Sequence, residues 1–166
     1  MDGAIRTPRL TGRPAAARDW PLILEILEDP QSGRHLTAPG LEASEARARR
    51  VAEGFAEAWR ADGFGPRVWS LPGGRALGYA GVRRAMLEGV EVVEALWALL
   101  PAAWGRGYAQ EAVRAALEQD APGPIVMAWT LPENAASLAL MTRLGFLDSG
   151  ETSRGGLRHL VRSLAL

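Results

Sequence analysis

Residues 92–118 read VVEALWALLPAAWGRGYAQEAVRAALE, and the run WGRGYA at 104–109 inside them decides how the chain is read. Ahead of the run lies an apolar segment of strand character. Behind it Ala109, Ala112, Val113, Ala116 and Leu117 recur at i, i+3, i+4, i+7 and i+8, the stripe of a helix that lies on a sheet. A glycine-bearing turn between a strand and a helix N-terminus leaves backbone N–H groups unpaired, with the positive end of the helix dipole behind them. Such a turn holds anions, phosphate above all.

Outward from this turn the chain divides into alternating elements. VWSLP (68–72), RALGYAGVRRAM (75–86) and GVEVVEALWALL (89–100) are parted by the turn signals PGG and EG, which predicts three antiparallel strands. Upstream of them, RLTGRP (9–14) reads as a short strand, and Asp19 as the N-cap of a helix carrying Trp20, Leu22, Ile23, Ile26 and Leu27 until Pro30 stops it. Residues 31–40 read as a loop. Residues 46–61 form a second helix, with Val51, Phe55, Ala58 and Trp59 on one face and Gly63 and Gly65 at its end. Downstream, PGP introduces the strand IVMAWTL (125–131); Asn134 caps a short helix that Gly145 ends, and two strands follow around 147–152 and 157–164. The order predicts an α+β sandwich: one mixed, mostly antiparallel sheet of six to seven strands with helices on both faces, in a single domain spanning 1–166.

Composition removes several functions. There is no cysteine, so disulfides, thiolate metal sites and a cysteine nucleophile are excluded. His35 and His159 stand far apart and in no ligand spacing, and both read as surface or packing residues rather than metal ligands. The formal net charge of zero draws the molecule to neither nucleic acid nor anionic lipid, no apolar run approaches the length of a membrane span, and the N-terminus lacks the pattern of a secretory signal. A soluble cytoplasmic protein is expected. All 19 basic residues are arginine, so an anion must be caught by guanidinium or backbone.

The absence of lysine excludes a P-loop, which requires G-x-x-x-x-G-K-[ST]. A dinucleotide fingerprint is a poor match, because Gln110 stands at its third glycine and the turn follows an antiparallel meander. The run instead resembles the pyrophosphate loop of GNAT-type N-acetyltransferases, [Q/R]-x-x-G-x-[G/A], with Gly107, Tyr108 and Ala109 as G-x-A and Trp104 where glutamine or arginine is usual. W-G-x-G-Y-A is similar to the form found in the branch that acetylates ribosomal-protein N-termini. Asn134, Ser137, Leu144, Gly145 and Phe146 match that branch's N-x-x-S-x-x-x-x-x-x-L-G-F, and TPRLTGRPAAARD is similar to its T-x-R-L-x-L-R-x-x-x-x-x-D opening.

The resemblance implies an acyl-CoA N-acyltransferase-like fold, acetyl-CoA as cosubstrate and no metal. It implies transfer to a primary amine, of a protein N-terminus or a small molecule, by direct attack in a ternary complex, with a homodimer as the family's habit. For the cofactor it implies Trp104, Gly105, Arg106, Gly107, Tyr108 and Ala109 at the pyrophosphate, backbone of Leu99 and Leu100 at the pantetheine arm, and Asn134 and Ser137 nearby. Trp104 offers a single donor and reads as packing for the loop. Glu94 is the candidate base or amine-orienting group and Glu91 the runner-up. Met141 occupies the place of the family's usual tyrosine acid, so that role has no evident holder. Two rivals stand beside this reading: a non-catalytic acyl-CoA sensor or interaction module, and a dinucleotide-binding enzyme.

Overall fold

The structure, a computed structural model, describes residues 3–166. Strands β1 (Ile5–Arg6), β2 (Thr11–Pro14), β3 (Arg67–Ser70), β4 (Ala76–Leu87), β5 (Val90–Leu99), β6 (Ile125–Thr130), β7 (Leu147–Arg154) and β8 (Leu157–Ala165) form one sheet in the order β1-β2-β3-β4-β5-β6-β8-β7. Only the neighbours β5 and β6 are parallel. Helices α1 (Trp20–Glu28), α2 (Glu45–Asp62), α3 (Tyr108–Asp120) and α4 (Ala135–Leu144) complete the fold. The expected class holds, with one strand more. The addition is β1, whose two residues pair with β2 at Ile5↔Gly12 and Arg6↔Thr11 and are too few to carry any alternation.

Alternation along β4 divides the core in two. Ala80 and Val82 face α3 and α4, where they meet Ala112, Val113, Ala116, Leu117 and Met141 together with Ala95, Val126 and Ala128. Tyr79, one residue out of phase, faces α1 and α2, and packs with Ile23, Ile26, Ala48, Ala52 and Phe55. Each fully buried Ile or Phe is worth about 1.5–3 kcal/mol, so both helical layers are held mainly by these faces. Ala112 and Ala116, wholly buried, let α3 lie close on the sheet.

Local signals set the helix ends. Ser44 accepts the Arg47 N–H at 3.1 Å to open α2, and Gly63 closes it in the left-handed conformation. Asp19 precedes α1 as expected but makes no capping bond to it. Its carboxylate is taken by the Arg13 guanidinium, at 2.5 and 2.8 Å, and by the Ala16 N–H at 2.8 Å, so a two-pronged ion pair outcompetes the cap. No helix among the described residues is long and apolar enough to cross a membrane.

The sheet has one opening. β5 stays paired with β4 from Val90 to Leu99 but meets β6 at a single register point, Glu94↔Met127, beyond which the two parallel strands part. Leu100 gives its N–H to Leu77 at 2.8 Å, and an antiparallel ladder alternates bonded and non-bonded pairs. Leu99, opposite Gly78, and Trp97, opposite Ala80, therefore turn their backbone groups away from β4 and into the gap.

Candidate active site

The turn from β5 to α3 lies at the mouth of this gap. After a single 3-10 turn over Pro101–Ala103, Gly105 and Gly107 adopt φ of 71° and 77°, a region costly to residues with a Cβ. The helix's first internal bond runs from the Glu111 N–H to the Gly107 carbonyl. Consequently the N–H groups of Gly105, Arg106, Gly107, Tyr108, Ala109 and Gln110 have no backbone or side-chain acceptor among the described residues. The Arg106 side chain is exposed beside them. Trp104 spends its one donor on the Leu99 carbonyl at 2.8 Å, which ties the loop to the end of β5 and leaves the Leu99 N–H and the Trp97 N–H and C=O facing the gap. Leu100, by contrast, directs its N–H to β4.

Because β5 and β6 are parallel, the turn from β6 to α4 lies at the same end of the sheet. Here Asn134 Oδ1 accepts the Ser137 N–H at 3.3 Å, and its Nδ2 donates to the Thr130 hydroxyl at 2.9 Å. The cap is thus clamped to the last residue of β6, and Ser137 sits one turn into the helix.

The carboxylates lie elsewhere. Glu94 stands where β5 and β6 part, on the α1/α2 face, buried except for 6% of its surface. One oxygen accepts from Arg83 Nε at 2.8 Å; Arg83 is the residue opposite it in β4 and lies 5.9 Å from the Phe55 ring centre. Glu91 is three residues nearer the start of β5 and so on the other face, where it pairs with Arg84 at 2.9 Å in the open. The fold does not bring the two glutamates together. On the face shared by Glu94, Arg154 of the β7–β8 hairpin lies 4.7 Å over the Trp129 ring and donates to the Met86 carbonyl at 3.0 Å.

Neither tyrosine is an evident acid. Met141 is buried between α4 and the sheet. Burial pushes the Tyr79 hydroxyl up to about 12, against the lowering effect of Arg83. Tyr108 lies against the Arg9 guanidinium, 4.8 Å from the ring centre.

Residues 9–147 match the family described as the acetyltransferase (GNAT) domain. The chain belongs to that family. This GNAT protein superposes with a TM-score of 0.81 on a GNAT-family acetyltransferase from Bordetella pertussis, at 25% identity over 98% of this chain and 99% of that one. An acetyltransferase from Agrobacterium tumefaciens str. C58 gives 0.79 and 26% identity, covering 98% of this chain and 94% of the other. RimJ of Mycobacterium smegmatis, solved in complex with CoA-disulfide, shares the fold at 0.72 and 19% identity, over 94% and 81% of the two chains. The GNAT protein is accordingly an acetyltransferase.

Its turn fits a pyrophosphate on its own geometry: successive N–H donors without acceptors, a helix dipole behind them and two glycines that keep side chains out. Glu111, Thr130 and Arg83 around the site carry no sequence pattern that announces them, whereas Arg9 stands in the TPRL opening with nothing there to name its partner. Arg83 alone was within reach, since a tight turn at Glu88–Gly89 fixes Glu94 opposite Arg83.

Proposed function

We propose that this acetyltransferase moves the acetyl group of acetyl-CoA to a primary amine by direct attack. The observation that carries the reading is the run of N–H groups from Gly105 to Gln110, without acceptors among the described residues, at the mouth of the parallel, splayed strand pair β5 and β6. The loop amides and Arg106 would hold the pyrophosphate. Backbone of Trp97 and Leu99 would take the pantetheine amides in the manner of an added strand, with Asn134 and Ser137 bordering the arm. Leu100 would serve by closing the end of β5, since its N–H is engaged with Leu77.

Bound there, acetyl-CoA supplies an activated acyl group. The chain's part is to place the amine and remove its proton. Glu94, at the point of the splay, has one oxygen on Arg83 and the other with no donor among the described residues. That oxygen would orient an incoming ammonium or accept its proton, directly or through water. Glu91, on the opposite face and more than half exposed, is the weaker candidate. The acceptor would approach over the α1/α2 face, on which Glu94 lies. A protein N-terminus and a small-molecule amine both satisfy this chemistry.

The test is thermal unfolding with acetyl-CoA, CoA, NADH and ATP in parallel. At ~100 times the dissociation constant a ligand adds ~2.7 kcal/mol, on the order of 5–10 °C for a domain of this size. A rise with the CoA compounds alone is expected; none at saturation would sink the reading. With an acceptor in hand, Glu94→Gln should lower kcat by about tenfold or more while CoA affinity holds.

A further inference from the structure

The turn joining β1 to β2 is built against the proposed cofactor loop from behind. It closes on itself, Thr7 N–H to the Leu10 carbonyl at 2.9 Å and Leu10 N–H to the Thr7 hydroxyl at 2.9 Å. Glu111, in the first turn of α3, then ties it down. Its Oε1 accepts from the Thr7 hydroxyl at 2.6 Å and the Arg9 N–H at 2.9 Å, and its Oε2 accepts from Arg9 Nε at 2.6 Å, with Nη2 of the same guanidinium in ion-pair contact at 2.6 Å. With the guanidinium oriented by that carboxylate and laid against the Tyr108 ring, Nη1 reaches the Arg106 carbonyl at 2.7 Å. Nη2 lies 3.3 Å from where a Cβ on Gly107 would stand.

A trans peptide is planar, so the Arg106 carbonyl and the Gly107 N–H point in opposite directions. Drawing the carbonyl onto Arg9 turns the Gly107 N–H to the other side of the loop. Glycines at 105 and 107 make rotation of the intervening peptides easy. Left to itself, this loop would present the donor in only part of its population. A bond from a fixed, planar guanidinium selects one orientation before any ligand arrives.

We propose that Arg9 is a positioning residue for the pyrophosphate cradle: held by Glu111, it fixes the Arg106–Gly107 peptide with its N–H toward the ligand. This deepens the CoA reading above and rests on it. Arg9 acts through the peptide, so its removal weakens every ligand that carries the pyrophosphate.

Calorimetric titration of CoA and 3′-dephospho-CoA into wild type, Arg9→Met and Arg9→Lys tests this, with the Gly107 amide followed by nitrogen-15 NMR. Affinity for both ligands should fall about tenfold in Arg9→Met, the scale of one charge-assisted hydrogen bond, and CoA should no longer shift the Gly107 amide as it does in wild type. Arg9→Lys should show the same losses, because an ammonium cannot reproduce the planar fork between Glu111 and the carbonyl. Restoration by lysine, a loss confined to CoA, or unchanged affinity in Arg9→Met each overturns the assignment. Should Arg9→Met unfold, Arg9→Lys decides: a wild-type Gly107 shift there overturns it. Wild-type protein that binds neither ligand overturns the CoA reading as well, whereas wild-type binding that survives both substitutions overturns only the role of Arg9.

Discussion

Two strand-to-helix turns stand side by side in this molecule, at the same end of the sheet and after parallel neighbours, yet they treat their helix N-termini in opposite ways. Before α4 the chain closes its own donors: Asn134 covers the Ser137 N–H, its backbone N–H goes to Leu131, and its amide nitrogen is anchored on Thr130. Before α3 a glycine stands at the cap position, nothing among the described residues accepts the N–H groups from Gly105 to Gln110, and the Arg9 guanidinium binds the Arg106 carbonyl of the loop. Every helix start leaves orphan donors, and a side-chain oxygen is the ordinary remedy. Where that remedy is withheld, in a turn that a distant arginine and glutamate nonetheless hold rigid, the donors are available to something other than the protein. The contrast separates a turn that satisfies its own donors from one that leaves them open, as the proposed cofactor cradle requires.

The sharpest way to break the contrast is to fill the open turn. Gly107→Glu places a carboxylate among the unpaired donors and a Cβ at φ 77°, 3.3 Å from Arg9 Nη2. CoA affinity should fall by more than about 100-fold, from charge repulsion and lost donors together. The backbone strain should lower stability by about 1–2 kcal/mol, leaving the sheet assembled. Calorimetry for affinity and urea unfolding for stability separate the two effects. Undiminished CoA binding would mean that the loop is not the cradle.

The closed turn should respond the other way round. Asn134→Ala removes the cap and leaves the Thr130 hydroxyl without its donor, which should destabilise the fold by about 1 kcal/mol. Its effect on CoA affinity should be much smaller than that of Gly107→Glu, limited to whatever contact the amide makes with the pantetheine arm. An affinity loss as large as the one at Gly107 would make the two turns partners in binding and dissolve the distinction drawn here.

Much of this pair of turns is legible in the sequence. The stripe from Ala109 to Leu117, the glycines of WGRGYA and the spacing from Asn134 to Gly145 are local signals, and each reports the backbone geometry it requires. The family resemblance rests on the same residues, which is why it survives comparison with the structure. What stayed hidden is non-local. Arg9 meets Glu111 across 102 positions in the chain, and nothing in either neighbourhood selects the partner. β1 has two residues and no pattern, so it exists only because β2 offers it an edge. Asp19 is well placed to cap α1 by sequence, but Arg13 six residues earlier takes its carboxylate. Glu94 lies between these cases. Its residue type is plain, whereas its chemistry depends on Arg83, and that pairing follows only once the β4–β5 turn fixes the register.

A last difference between the turns is electrostatic, and it is the smallest. The first turn of α3 carries a carboxylate, Glu111, and that of α4 carries none. Burial alone would raise the Glu111 carboxyl, but the Thr7 hydroxyl, the Arg9 N–H and the Arg9 guanidinium outweigh it and hold the group below its ordinary value of 4.5. A carboxyl depressed in the folded state contributes stability that is complete above its unfolded value and disappears as pH falls through the folded one. Other carboxylates, Asp19 among them, behave alike, so wild type must be compared with Glu111→Gln and not with itself. The stability gap between the two proteins in urea should be constant around neutrality, begin to close below the ordinary value of 4.5, and be smallest in acid. A gap that widens on acidification would mean that Glu111 is stabilised as the neutral acid, and with it the charged hold on Arg9, from which the open turn takes its shape, would fail.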